Sequence, residues 1–128
     1  MLAVVAGFQN GVLFKRAAGF FARRKLLEVR QLENLNGKTL GGKTELKLKE
    51  WYHVALVRDG KKVTVYLNGK EEIAGEAEST VPPKCGQIFF GGRNDKFAGL
   101  EGRMDEAAIY NRALPAKEIA DHFAAAGK

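Results

Sequence analysis

Apolar and polar positions alternate at period two over much of the chain, and this alternation predicts strands. In TELKLKEW, residues 44–51, Leu46 and Leu48 share one face while Lys47 and Lys49 share the other. HVALVRD, residues 53–59, is apolar on both faces, which predicts a central strand buried on both sides. VTVYL, residues 63–67, sets Val63, Val65 and Leu67 against Thr64 and Tyr66. The DGKK between these runs predicts a tight hairpin, because Asp59 and Gly60 readily take positive φ. Asn68 and Gly69 repeat that signal before KEEIAG, so three strands joined by two turns make an antiparallel meander. QIFFGG, residues 87–92, and RMDEAAIYN, residues 103–111, read as further strands. Upstream, GVLFKRA (11–17) and RKLLEVRQLE (24–33) are weaker strand candidates, with GKTLGGK (37–43) as a glycine-rich connection. After NRAL the period changes. PAKEIADHFAAAG spaces Ile119 and Phe123 four apart, with Pro115 suited to a first helical turn and Gly127 past the end. One short C-terminal helix should dock Ile119 and Phe123 on a β-sandwich.

Composition narrows the class. With 128 residues, 45% of them hydrophobic and 28% charged, the chain reads as one globular domain with no repeat or linker. Its apolar runs, MLAVVAG among them, are too short for a membrane span, and that opening lacks the basic start of a signal peptide. A lone cysteine, Cys85, excludes an internal disulfide and a cysteine-built metal site. The net charge of +6 is uneven: residues 1–70 hold 14 Lys/Arg against five Asp/Glu, and residues 71–128 hold seven against ten. Scattered solvent-facing lysines that guard sheet edges account for most of the basic half. The exception is the cluster Lys15, Arg16, Arg23, Arg24 and Lys25, the candidate surface for a polyanion. Nucleic acid is not the favoured partner.

Two stretches carry a family resemblance. EWYHVALVRDGKKVTVYLNGKE, residues 50–71, holds a tryptophan, then H-V-A, a D-G turn and Y-x-N-G. FFGGRNDKFAGLEGRMDEAAIYNRALPAKEI, residues 89–119, holds a glycine pair, then F-x-G, M-D-E and Y-N-R-x-L before a helix. In order and spacing these resemble the laminin-G-like branch of the concanavalin A-like lectin/glucanase fold. The resemblance implies a jelly-roll β-sandwich of a single domain over residues 1–128, shortened at its N-terminus. It implies a non-catalytic recognition module at an extracellular or cell-surface location, with a glycan or a protein surface as ligand. Where the family usually has a small hydroxyl residue before the helix, this chain has Pro115, while Glu118 keeps its place. A shortened N-terminus would leave an open sheet edge for self-association or a partner strand, and the chain could equally be a piece of a larger protein.

The residues that could do chemistry begin with GRMDEAAIYNRAL, where Asp105 and Glu106 stand side by side. On a regular strand neighbours point to opposite faces, whereas a glycosidase pair must share one site, about 5–10 Å apart. Catalysis by this pair is therefore not expected, nor is the chain expected to be an enzyme. By resemblance, one acid is a structural anchor and the other orients a loop or helps bind calcium. Calcium is the metal worth considering, with Asn94, Asp95 and Asp105 as oxygen donors. His53 and His122 lie on different elements, so zinc is weaker, and His53 is expected to be packed in the sandwich. Ser79 sits in no elbow motif, Cys85 has no nearby histidine, and GGRND lacks the lysine and helix of a phosphate loop. Trp51, Tyr52 and Phe97 could stack on sugar but are expected in the core. The ligand loops are 34–43, 77–86 and 92–97, and Arg93, Asn94, Asp95 and Lys96 form the most polar cluster among them.

Overall fold

The computed structural model describes residues 2–10, 19–23, 26–30, 39–47, 49–76 and 102–127. In chain order the strands are β1 (Leu2–Asn10), β2 (Gly19–Arg23), β3 (Leu26–Arg30), β4 (Thr39–Gly41), β5 (Trp51–Asp59), β6 (Lys62–Leu67), β7 (Lys70–Glu76) and β8 (Gly102–Tyr110), followed by helix α1 (Ala116–Ala126). They form a five-stranded sheet ordered β7-β6-β5-β1-β8 and a three-stranded sheet ordered β2-β3-β4. Every pairing is antiparallel.

The predicted meander is β5-β6-β7. Asp59 pairs with Lys62, so the first loop is Gly60 and Lys61, and the positive φ of 58° falls on Gly60. In the second, Asn68 and Gly69 take φ of 50° and 76°, the both-positive pattern of a type I′ turn. Asn68 adds a specific tie. Its amide donates to the His53 carbonyl at 2.8 Å. Its side-chain Oδ1 accepts from the His53 amide at 2.9 Å, carrying the β5–β6 pairing one residue into the turn.

Period-two alternation along β5 and β6 splits their side chains between two cores. Tyr52, Val54, Val65, Leu67 and Ile73 join Leu46 on the side facing the second sheet, where Leu40 and Leu56 pack on them. Ala55 and Val57 face the other way and are covered by Leu114 and Ile119, with Tyr66, Tyr110 and Ala113 at the margin. Fully burying side chains such as Leu46 and Ile119 contributes about 1.5–3 kcal/mol each.

The helix closes the second core. Pro115, at φ −69° and ψ 152°, is its N-cap and offers no side-chain hydrogen bond, so the proline stands just before the helix rather than in its first turn. Gly127, left-handed at φ 64°, ends it. Ile119 is fully buried, and the half-buried Phe123 lies 5.8 Å, ring to ring, from His53. Gly69 has a second reason to be glycine here: a Cβ would come within 3.2 Å of Phe123 and 3.3 Å of the Ala120 backbone.

The structure departs from the alternation in three places. TELKLKEW does not form a strand, since residues 44–47 are irregular although Leu46 is fully buried. The short β4 forms instead, inside the stretch expected to be a connection. Finally the opening apolar run, too short to be read as more than a run, is β1, paired with both β5 and β8. The expected strands at 11–17 and 87–92 lie outside the described residues.

Candidate functional site

Both faces of β5 and β6 are occupied, one by the core under β4 and the other by α1. A ligand surface on this part of the molecule must therefore use loops or a strand edge. β8 lies at the end of its sheet, and among the described residues it pairs with β1 alone. Arg103, Met104, Asp105, Glu106 and Ala107 are all exposed along it.

The two acids sit at a break in this strand. Gly7 pairs with Asp105 and Val5 with Ala108, so two residues of β8, Glu106 and Ala107, oppose the single Ala6. Glu106 takes φ 51°, a left-handed conformation that a side chain with a Cβ rarely adopts. This is a β-bulge, and bulges re-aim side chains. Neighbouring acids point to opposite faces only on a regular strand, and the bulge breaks that regularity. Both carboxylates are nonetheless exposed.

Asp105 is thus described at the bulge, while its expected calcium partners Asn94 and Asp95 lie outside the described residues, as do Arg93 and Lys96 of the polar cluster. Among the described residues no three His, Cys, Asp or Glu side chains gather to hold a metal ion. Of the basic cluster, Arg23 ends β2, opposite Leu26 of β3. Lys15, Arg16, Arg24 and Lys25 are outside the described residues. Tyr52, only 6% exposed, is a core residue, and Trp51 is half-buried at the start of β5. His53 is packed as expected, 4% exposed. Its ring faces Phe123 on α1, while the neighbouring His122 lies 3.9 Å from Glu118. Phe97 falls outside the described residues.

Residues 4–120 match the model of the Laminin G 3 family, described as the concanavalin A-like lectin/glucanases superfamily. The chain belongs to this family. No curated protein sequence matches it. Among solved structures, it is similar to a candidate carbohydrate-binding protein from Bacteroides ovatus, at 17% identity and a TM-score of 0.66 over 93% of this chain and 39% of that one. It is also similar to domain 4 of an extracellular arabinanase, AbnA, from Geobacillus stearothermophilus, solved with arabinotriose. There the identity is 22% and the TM-score 0.56, over 94% of this chain and 65% of that one. A Trypanosoma rangeli sialidase mutant with trans-sialidase activity matches at 19% identity and a TM-score of 0.65, over 98% of this chain and 23% of the sialidase. At these identities the likeness establishes the concanavalin A-like sandwich fold, and this chain spans under two thirds of each of those proteins.

The Laminin G 3 signature around Y-N-R-x-L can now be read physically. Arg112 forks onto Glu118 with two hydrogen bonds, Nη2 to Oε1 at 2.6 Å and Nη1 to Oε2 at 2.9 Å. The guanidinium also lies 5.9 Å from the centre of the Tyr110 ring, against which His122 stacks at 5.7 Å. Those bonds hold the Glu118 carboxyl below its ordinary pKa and raise that of Arg112. With Pro115 in place of a hydroxyl cap there is no backbone N–H for Glu118 to reach back to, and the glutamate serves the arginine instead. The network is exposed, so it orients the helix start more than it stabilises it.

Proposed function

We propose that this domain is a non-catalytic recognition module that binds a glycan at the rim beside the β8 bulge. The observation that carries the reading is the run 103–107, exposed at a sheet edge of a domain whose central strands are covered on both faces. The carbohydrate-binding descriptions of the Bacteroides ovatus and arabinanase relatives support the ligand class. The exposure of both acids supports binding over hydrolysis. Arg103 and Asp105 supply the charged donor and acceptor a sugar hydroxyl needs, and Arg93, Asn94, Asp95 and Lys96 are the proposed loop contribution. If calcium takes part, Asp105 with Asn94 and Asp95 is the proposed donor set, and an extracellular location suits that use.

A glycan array run with calcium and again with chelator tests both the ligand class and the metal. Binding to a defined glycan that weakens on Asp105→Ala is the expected result. No binding under either condition, or release of cleaved sugar from a bound glycan, would overturn the reading.

A second reading is self-association through β8. Met104 at 37% and Ile109 at 47% are the exposed large hydrophobics of the described residues, both on that strand. Light scattering across a concentration series decides it: a monomer at every concentration removes this reading. The polyanion reading of the basic residues, Arg23 included, is tested by heparin retention and its loss with salt.

A further inference from the structure

On the opposite side of the sheet, β7 is held by a different device. Val65 pairs with Ile73 and Tyr66 with Glu71, which leaves Glu72 as an extra, bulged residue. Its carboxylate reaches the irregular segment before β5. Oε1 accepts the amides of Lys43 at 2.5 Å and Thr44 at 2.6 Å, and Oε2 accepts the Thr44 hydroxyl at 2.7 Å. Gly42 leaves room for this approach, since a Cβ there would stand 2.6 Å from Oε1. Two residues later the fastening changes in kind. Leu46 is fully buried, and the Lys47 amide donates to the Tyr52 hydroxyl at 2.8 Å.

We propose that residues 42–45 are an acid-releasable strap on β7, fastened by the ionised Glu72 carboxylate and opened by its protonation while Leu46 stays seated. Three donors converge on one carboxylate, and such charge-assisted bonds weaken when the acceptor gains a proton. Among the described residues, 42–47 lie outside every strand ladder. The charged group acting on Glu72 is Lys43, on the strap itself. β4 brings only Thr39, Leu40 and Gly41, and Glu71 belongs opposite Tyr66. Burial pushes the Glu72 carboxyl up in pKa, but the Thr44 and Lys43 bonds outweigh it, and the net position is below the ordinary value of 4.5. The strap is therefore closed at neutral pH and opens as pH falls through that lowered value. The far fastening does not follow, because the Tyr52 hydroxyl, pushed up by burial, stays neutral throughout that range.

Amide hydrogen exchange on the full chain tests this, read at about pH 6 and about pH 3.5 and corrected for intrinsic rates. Protection at Lys43 and Thr44 should fall by about three- to tenfold at the lower pH, as the carboxylate gains its proton. Protection at the Asn68 amide should hold. Glu72→Gln should show low strap protection at both pH values. The proposal is overturned if Lys43 and Thr44 lose protection only in step with Asn68, if their protection ignores pH, or if Glu72→Gln keeps it.

Discussion

The five-stranded sheet ends in two bulged strands that solve the problem of an edge in different ways. At β7 the extra residue is Glu72, and its carboxylate pulls a neighbouring segment against the strand. At β8 Glu106 and Ala107 together oppose one residue, and the side chains from Arg103 to Ala107 are exposed. A bulge interrupts the ladder in both cases, and interrupting it discourages unwanted strand pairing. At β7 the interruption also fastens residues 43 and 44 to the strand. The comparison teaches that a bulge is a way of aiming a side chain, and that what it is aimed at decides whether an edge becomes structural or available.

Breaking the strapped edge should have the largest effect. Leu46→Ala removes the buried anchor of the segment and should cost about 2–5 kcal/mol in a denaturant titration. A smaller loss would mean that the strap collapses to refill the space. Gly42→Ala pushes a methyl against the Glu72 carboxylate and should cost about 1–2 kcal/mol through the weakened bonds.

The pH dependence sharpens the contrast. Because Glu72 is lowered in the folded state, its stabilising effect is present above about pH 4.5 and lost as pH falls through the lowered folded value. Wild type and Glu72→Gln should therefore differ in melting temperature at pH 7 and converge at about pH 3. A constant gap between them across that range would sink the assignment.

The open edge should respond least. Glu106→Gly relieves a left-handed side-chain-bearing residue and should raise stability by about 0.5–1 kcal/mol, visible as a small rise in melting temperature. Ile109→Lys, at an exposed position, should change stability by no more than about 0.5 kcal/mol while suppressing any dimer seen by light scattering.

The part of this molecule legible in its sequence is the part built from local rules. Val63, Val65 and Leu67 alternate, Asn68 and Gly69 make the turn, and Ile119 and Phe123 recur at helical spacing, so the meander and helix followed from neighbours along the chain. The alternation puts Leu46 on the face opposite Lys47 but in a strand that does not form: its segment is held by the side chains of Glu72 and Tyr52, and side-chain ties of that kind leave no periodic trace. β1 was missed because a run as short as MLAVVAG has no turn signal before it, and its strand character comes from β5 and β8 on either side. The bulge at Glu106 was invisible for a related reason. It is a mismatch of register between two strands about a hundred residues apart, and neither strand records it alone. Of the candidate site, the position of Asp105 on a strand was legible, and its escape from strict alternation was not.

The contact between the second turn of the meander and α1 bears on the order in which the molecule can be made. Gly69 and His53 leave the ribosome before Ile119 and Phe123 do. Until they emerge, Ala55, Val57 and Tyr66 lack the helix side chains that cover them in the folded domain. That sheet face waits for eleven residues of helix, and uncovered apolar surface of this kind is what chaperones and unwanted neighbours bind.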